Sequence, residues 1–343
     1  MHITHVNFAK GFRGGERQTL NLIEGLARLD VAQTLVCRTG SELKTRMAVL
    51  GLPTLEAGHP LLGHWSPPPS HIIHVHEARG AYWAAIEHAF RKSPYIITRR
   101  IPNPISTGRL TGIVYKNAAH LVGVSVDVST RLAQQTGCRV DTILDSSTLH
   151  DADPGKVAAI RKKLGGRSII GHVGALHDHH KGQSVLIEAF HKLSAIYPDA
   201  RLLLVGDGPD KARFEMLAKS DPRIFFAGFQ SDVGSWIAAM DVFAFPSREE
   251  GLGSSVLDAM MLGVPVVASA AGGLPELIGA NQHGLQIDSH DPDDWANALQ
   301  RLLTDQALRF RLIDAARKFA QQHDIGAMTA SYLKLYKNIL NAA

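Results

Sequence analysis

The chain has 343 residues, 45% hydrophobic and 20% charged, with a formal net charge of +4. These values exclude disordered and fibrous chains, and the length exceeds what one core ordinarily holds, so two domains are expected. Two cysteines, Cys37 and Cys138, give no disulfide framework and fit a reducing compartment.

The start, MHITHVNF, lacks the charged-then-apolar pattern of a secretory signal. No apolar run approaches the roughly 18–20 residues that span a bilayer. A cytoplasmic protein is therefore expected. Charge is uneven: residues 1–150 hold 16 Lys+Arg against 10 Asp+Glu, and residues 151–343 hold 20 against 22. The basic first half suits an anionic acceptor or peripheral contact with an anionic membrane leaflet. Nucleic acid is not indicated, because no binding motif or aromatic–basic interleaving occurs.

HITHVNF (2–8) alternates as a strand. The glycine turn FRGGER (12–17) then opens a helix over Glu16–Leu29, with Leu20, Ile23, Leu26 and Ala27 at helical spacing. Further strands are expected at 32–38, 71–77, 95–101 and 120–125, with helices near Ala81–Phe90 and Val126–Gln135. PLLGHWSPPPS (60–70) reads as a loop, since Pro67–Pro69 preclude regular structure.

The second half repeats this plan, with strands at 168–176, 201–209, 223–229, 241–247, 264–270 and 284–289. HDHHKG (177–182) reads as a loop, Gln183–Tyr197 as a helix, and 291–303 as a helix with Pro292 in its first turn. Strands alternating with helices predict two parallel, doubly wound α/β sheets. The boundary is placed in the polar, turn-rich stretch 145–167.

The most informative stretch is Phe245–Glu276, FPSREEGLGSSVLDAMMLGVPVVASAAGGLPE. It reads as strand end, glycine turn, the short helix Val256–Leu262, strand, and a second glycine turn. Gly251 and Gly253 let backbone approach a ligand closely, and Ser254 or Ser255 is expected to cap the helix. N–H groups at such a helix start favour an anion. Glu250 and Asp258 stand on either side of that turn, and paired carboxylate acceptors suit the vicinal hydroxyls of a sugar. The blander alternative makes Ser255 and Asp258 a capping box and Glu250 a solvated acid.

This stretch resembles the retaining glycosyltransferases of the GT-B fold, glycosyltransferase family 4. Their signature runs Pro-Ser-x-x-Glu-Gly-x-Gly, then a second acid or substitute, Ala-Met and Gly-x-Pro-Val-Val. Glu250 has its acid partner eight residues on in Asp258, whereas Glu249 would meet Leu257. The resemblance implies two Rossmann-like domains facing a central cleft, with boundaries at 1–153 and 154–324. A C-terminal helix over 325–343 would cross back to the first domain. It also implies that Glu250 contacts the donor sugar and Asp258 the nucleotide ribose.

Other stretches add to the resemblance. FRGGER is similar to the family's Gly-Gly-x-Glu turn, which brings in Gly14 and Gly15. HVHE (74–77) is similar to His-x-His-Glu, which puts His76 at the reacting end. HVGALHDHHKG (172–182) resembles Val-Gly-Arg-Leu…Lys-Gly, which makes Lys181 the donor-diphosphate lysine. Ala175 stands where the family usually has Arg, and His177, His179, His180 or Arg248 are the candidates to replace that cation. Gly206 lies in a strand-end turn of the family, and Phe229 and Gln230 match a region against the base. A turn glycine and a core phenylalanine are the plainer readings there.

The implied catalytic set is thus His76, Lys181 and Glu250. The implied donor set is Gly14, Gly15, Gly206, Phe229, Gln230, Gly251, Leu252, Gly253, Ser254 and Asp258. No metal or other cofactor is expected: His74 and His76 lack an identifiable third ligand, and HDHH reads as a phosphate-facing loop. Asp151-Ala152-Asp153, the metal motif of a different glycosyltransferase fold, follows no strand. The expected activity is metal-independent, retaining transfer from a nucleotide-diphosphate sugar to a glycan or lipid-linked acceptor, as in bacterial lipopolysaccharide or capsule synthesis. The alternatives are a nucleotide-sugar epimerase or glycosyl phosphorylase of the same fold, or a glycosyltransferase-like binding subunit.

Overall fold

The computed structural model describes residues 1–65, 70–148, 152–165 and 168–342. Pro67–Pro69 and Asp151, which the sequence singles out, lie outside the described residues. Contacts divide the chain into unit 1, Met1–Ser146 with Ile325–Ala343, and unit 2, Ser147–Asp324.

In unit 1 the strands are β1 (His2–Asn7), β2 (Ala32–Cys37), β3 (Thr54–Glu56), β4 (Ile72–Val75), β5 (Tyr95–Arg99), β6 (His120–Gly123) and β7 (Val140–Thr142). Between them run α1 (Gly14–Ala27), α2 (Glu42–Val49), α3 (Gly80–Arg91), α4 (Arg109–Lys116) and α5 (Val126–Thr136). The strands form one parallel sheet in the order β3-β2-β1-β4-β5-β6-β7. The order reverses between β1 and β4, which opens a crevice at their carboxyl ends.

Unit 2 begins with α6 (Pro154–Leu164), β8 (Ser168–Val173), α7 (Asp178–Lys181), α8 (Gln183–Ile196) and β9 (Ala200–Val205). It continues with α9 (Lys211–Leu217), β10 (Ile224–Gly228), α10 (Val233–Ala238), β11 (Val242–Phe245), α11 (Ser254–Met261) and β12 (Val266–Ser269). α12 (Leu274–Ile278), β13 (Leu285–Ile287), α13 (Pro292–Thr304) and α14 (Gln306–Gln321) complete it. Its parallel sheet runs β10-β9-β8-β11-β12-β13, with the reversal between β8 and β11. Helices cover the sheet, so central strands such as Leu202–Val205 are continuous apolar runs rather than alternating ones. The last helix, α15 (Ile325–Ala342), packs on α1 of unit 1. There Tyr332 and Tyr336 are fully buried with Ile3, Leu22 and Leu26.

Several expectations need correcting. The contact division falls at Ser146/Ser147, inside the expected stretch 145–167 but earlier than 153/154, because the following residues already bond within unit 2. The Ser147 N–H donates to the His323 carbonyl at 2.9 Å, and the Asp153 N–H donates to Ser235 Oγ at 3.1 Å. The stretch read as turn-rich linker contains α6, whose start Asp153 caps by accepting from the N–H groups of Gly155 and Lys156. The 177–182 loop contains the one-turn helix α7. The elements α2, β3, α4, β7, α9, α10 and α14 carry no expected counterpart; their short or mixed patterns lacked a clean period.

Candidate functional site

The switch point of unit 2 gathers the family-like motifs. Loop 174–177 and α7 leave the end of β8, and loop 246–253 leaves the end of β11. The two are stitched together by backbone. The N–H groups of Arg248 and Glu249 both donate to the His180 carbonyl, at 2.8 and 3.2 Å. Side chains then pair across the seam, Lys181 Nζ with Glu250 Oε2 and His180 Nδ1 with Glu249 Oε2 at 2.9 Å. Lys181 Nζ also lies 5.0 Å from the Phe245 ring centre, an apolar wall that keeps the ammonium partly desolvated. The lysine and glutamate retain 21% and 15% side-chain exposure, enough for a ligand to reach them.

Loop 246–253 holds its shape through glycine. Gly253, at φ +92°, is the N-cap of α11, and a Cβ there would sit 2.6 Å from Leu274 Cδ2. Gly272 lets the second glycine turn touch the first, since its Cβ would fall 1.8 Å from the Glu250 carbonyl oxygen. Gly251 and Leu252 are buried and Ser254 is half-buried. The expected serine cap is not formed: no side chain caps α11, and among its first-turn N–H groups that of Val256 bonds to the Gly253 carbonyl at 2.8 Å. Nor is Asp258 a capping-box acid; it is 7% exposed and its Oδ1 accepts from the Thr148 N–H at 2.6 Å.

Three residues that the sequence did not single out brace this site. His172, in β8, donates from Nδ1 to the Ala244 carbonyl at 3.0 Å and receives Gln183 Nε2 at 3.3 Å on its other nitrogen. Burial pushes its pKa down to about 4, so the ring is neutral and holds β8 against β11. Asp178 accepts from the Ser184 N–H and hydroxyl and pairs with Arg213 at 3.2 Å, which ties α7 to α8 and α9. Gln183 also donates to the Ala175 carbonyl at 2.7 Å. A helical Gln or a strand His gives no periodic signal, so only the fold reveals these roles.

Phe229 and Gln230 lie past β10, at the sheet edge two strands from β8. Phe229 is 68% exposed and not a core residue, while Gln230 donates to the Ala227 carbonyl at 2.6 Å. The Gly206 N–H bonds to the Gly228 carbonyl at 2.9 Å, so this glycine serves its own turn.

At the switch point of unit 1, Gly14 and Gly15 open α1, and Arg100 Cδ lies 3.8 Å from where a Gly15 Cβ would be. His76 is 4% exposed with both ring nitrogens engaged. A third histidine, missed in the sequence, sits beside it: His5, which pairs in register with His74 across β1 and β4.

The protons can be assigned along this chain. Gln33 Nε2 donates to the Ile23 carbonyl, leaving Gln33 Oε1 to accept from His5 Nε2–H at 2.9 Å. His5 Nδ1 then accepts from His76 Nε2–H at 2.9 Å, and His76 Nδ1 accepts from Arg100 Nη1 at 3.3 Å. His74 is held separately by Tyr336 at 2.6 Å and Thr98 at 2.8 Å. Burial, then neighbouring His and Arg100 charges, hold His74 and His76 well below the usual imidazole range. Burial likewise takes His5 down to about 4. Arg100 Nε pairs with Asp145 at 3.1 Å, both side chains 8% exposed, and Arg100 Nη2 is buried without a hydrogen-bond partner.

Among the described residues, two clusters have metal-ligand composition. His5, His74 and His76 supply the third ligand that the sequence lacked, but their nitrogens are spent on hydrogen bonds beside a buried guanidinium, which disfavours a cation. His179, His180 and Glu249 place ligand atoms within 4.8 Å of one another on the rim of the unit 2 site.

Comparison with known proteins agrees with this geometry. Residues 167–305 match the family described as Glycosyl transferases group 1. Over 98% of both chains, the protein is 26% identical to the lipopolysaccharide core biosynthesis glycosyltransferase LpsE of Rhizobium meliloti. It is 34% identical over 167 residues to the sulfoquinovosyl transferase SQD2 of Arabidopsis thaliana, which is 48% of this chain and 32% of that protein. The fold is that of Anabaena HepE crystallised with UDP-glucose, at a TM-score of 0.83 and 21% identity over 98% of this chain and 100% of HepE. Two doubly wound Rossmann-like units of the GT-B plan are thus shared with solved glycosyltransferases.

Proposed function

Given its group 1 module, this chain is a glycosyltransferase of that type, and from that premise we propose that it is a retaining, family 4 enzyme using a nucleotide-diphosphate sugar. The supporting observation is the Lys181–Glu250 pair, half-buried beside a helix start that no side chain caps. The diphosphate takes the N–H groups of α11 and the Lys181 ammonium, with Glu250 freed to accept from a sugar hydroxyl. As the anomeric carbon becomes oxocarbenium-like, negative charge grows on the departing phosphate, where these donors are already in place. No metal is required for that step, and a phosphate oxygen takes the acceptor's proton. Asp258 holds the ribose, Phe229 faces the base, and unit 1 binds a glycan or lipid-linked acceptor of the cell-envelope kind.

Thermal-shift screening of UDP-, GDP- and ADP-sugars tests the donor assignment, because a ligand that binds only the folded chain raises its melting point. A donor that stabilises wild type and fails to stabilise Lys181→Ala is the expected result. Equal stabilisation of both proteins by every donor would remove Lys181 from the site.

A further inference from the structure

The cluster of His179, His180 and Glu249 has no part in the donor chemistry. Each residue offers one ligand atom, and the three atoms lie within 4.8 Å of one another. Backbone bonds hold them together. In α7 the N–H groups of His180 and Lys181 donate to the His177 carbonyl at 3.2 and 2.8 Å. The His180 carbonyl in turn accepts from Arg248 and Glu249, which sets Glu249 opposite the helix. His177 stacks on His180 at 4.6 Å with 25° between the ring planes, so the His180 imidazole is braced. Asp178, the acid within the HDHH run, is not available as a ligand: it is 7% exposed and committed to Ser184 and Arg213.

Access separates this cluster from His5, His74 and His76. His179 is exposed, and the His180 and Glu249 side chains each keep 41% exposure. An ion pair that open contributes little, so a metal ion that displaces its proton gives up little. His180 Nδ1 and Glu249 Oε2 are 2.9 Å apart, near the roughly 3.3 Å between two ligands held at about 2.0 Å by a tetrahedral ion. Two imidazoles with one carboxylate suit zinc, whereas magnesium and calcium prefer oxygen alone. We propose that His179, His180 and Glu249 form a surface site for zinc or a similar first-row divalent ion, with water completing its shell. His180 gives Nδ1 to the ion and carries its proton on Nε2. The ion clamps α7 to loop 246–253, beside Lys181 and Glu250 in sequence, and the transfer step does not run through it. The inference rests on the geometry of unit 2 and does not need the donor chemistry to be right.

The test is calorimetric titration of the full, EDTA-stripped chain with zinc chloride, and with cobalt chloride as the visible probe. One equivalent of zinc is expected to bind, and cobalt to show the intense d–d bands of four- or five-coordination. Zinc, and not magnesium, raises the melting point, because it binds the folded chain. His179→Ala and Glu249→Gln each weaken zinc binding by about tenfold or more. Their metal-free melting points hold, since both side chains are open to solvent. The chain has 18 histidines, so zinc binding unchanged in both variants would put the ion elsewhere and overturn the proposal. Absence of zinc binding by wild type, or equal stabilisation by magnesium, overturns it as well.

Discussion

The two switch points solve the same problem with different means. In unit 2 the strand ends are shaped by backbone: glycine turns touch each other, and one cation–carboxylate pair stands half-open at a helix start. In unit 1 they are shaped by side chains. Gln33, His5, His76, Arg100 and Asp145 form a buried relay in which most groups have a partner before any ligand arrives. A backbone cradle leaves its charged groups exposed and adjustable, whereas a side-chain relay fixes them by mutual hydrogen bonds. The cations of the two sites should therefore fail differently when removed.

Removing the buried one has the largest effect. Arg100→Met leaves the Asp145 carboxyl buried without its counter-ion, and such losses run to about 3–5 kcal/mol. Denaturant unfolding reads this as a lower midpoint. If the midpoint is unchanged, the relay is not the framework of unit 1. Lys181→Ala makes the opposite case: its partner Glu250 reaches water, so the fold survives. Donor turnover falls roughly 10²–10³-fold, the usual loss when one preorganised donor to a developing anion is deleted. Full turnover in this variant would sink the role proposed for the pair.

Acid sharpens the contrast by nearly as much. His5 titrates at about 4 in the folded chain against 6.5 when unfolded, so its contribution is complete above the unfolded value. Below it the unfolded state binds the proton first, and stability drains away as pH falls from 6.5 toward 4, by about 3 kcal/mol for that one ring. His74 and His76 shift the same way, which puts three such rings in unit 1, whereas unit 2 has His172 alone among the described residues buried and lowered this far. Amide exchange at pH 7 and pH 5 should show β1 and β4 deprotected before β8 and β11. Uniform deprotection would mean that the histidines do not control acid stability.

The same difference explains what the sequence reveals. Glycine turns, strand ends and Glu250 lie within one short stretch, and Lys181 follows a strand at a recognisable spacing, so the unit 2 site can be read from local pattern. The unit 1 relay joins residues 5, 33, 76, 100 and 145, which no local period connects; only the register of His5 with His74 brings them together. The sheets are largely readable because most strands are apolar runs between turns, while β3 and β7, at three residues each, are too short to show one. Helices such as α4 are not, because its eight residues make only about two turns over which a period can be read. The failed serine cap has a similar origin: Gly253 takes the N-cap at a positive φ that no sequence rule for Ser254 or Ser255 foresees.

Phe229 offers the smallest and most discriminating effect. It is 68% exposed at the end of β10, which gives it no packing role to lose, so Phe229→Ala should leave the melting point where it is. If the ring stacks on the nucleotide base, its loss removes about 1 kcal/mol or somewhat more of binding that is equal in ground and transition states. Uniform binding of that kind raises KM and leaves kcat alone. The expected outcome is a five- to tenfold rise in donor KM at constant kcat, with Phe229→Tyr near wild type because it keeps the π face. A fall in kcat instead would place Phe229 nearer the reacting sugar, and no change in either constant would move the base away from the β10 edge, taking with it the donor orientation drawn from Lys181 toward Asp258.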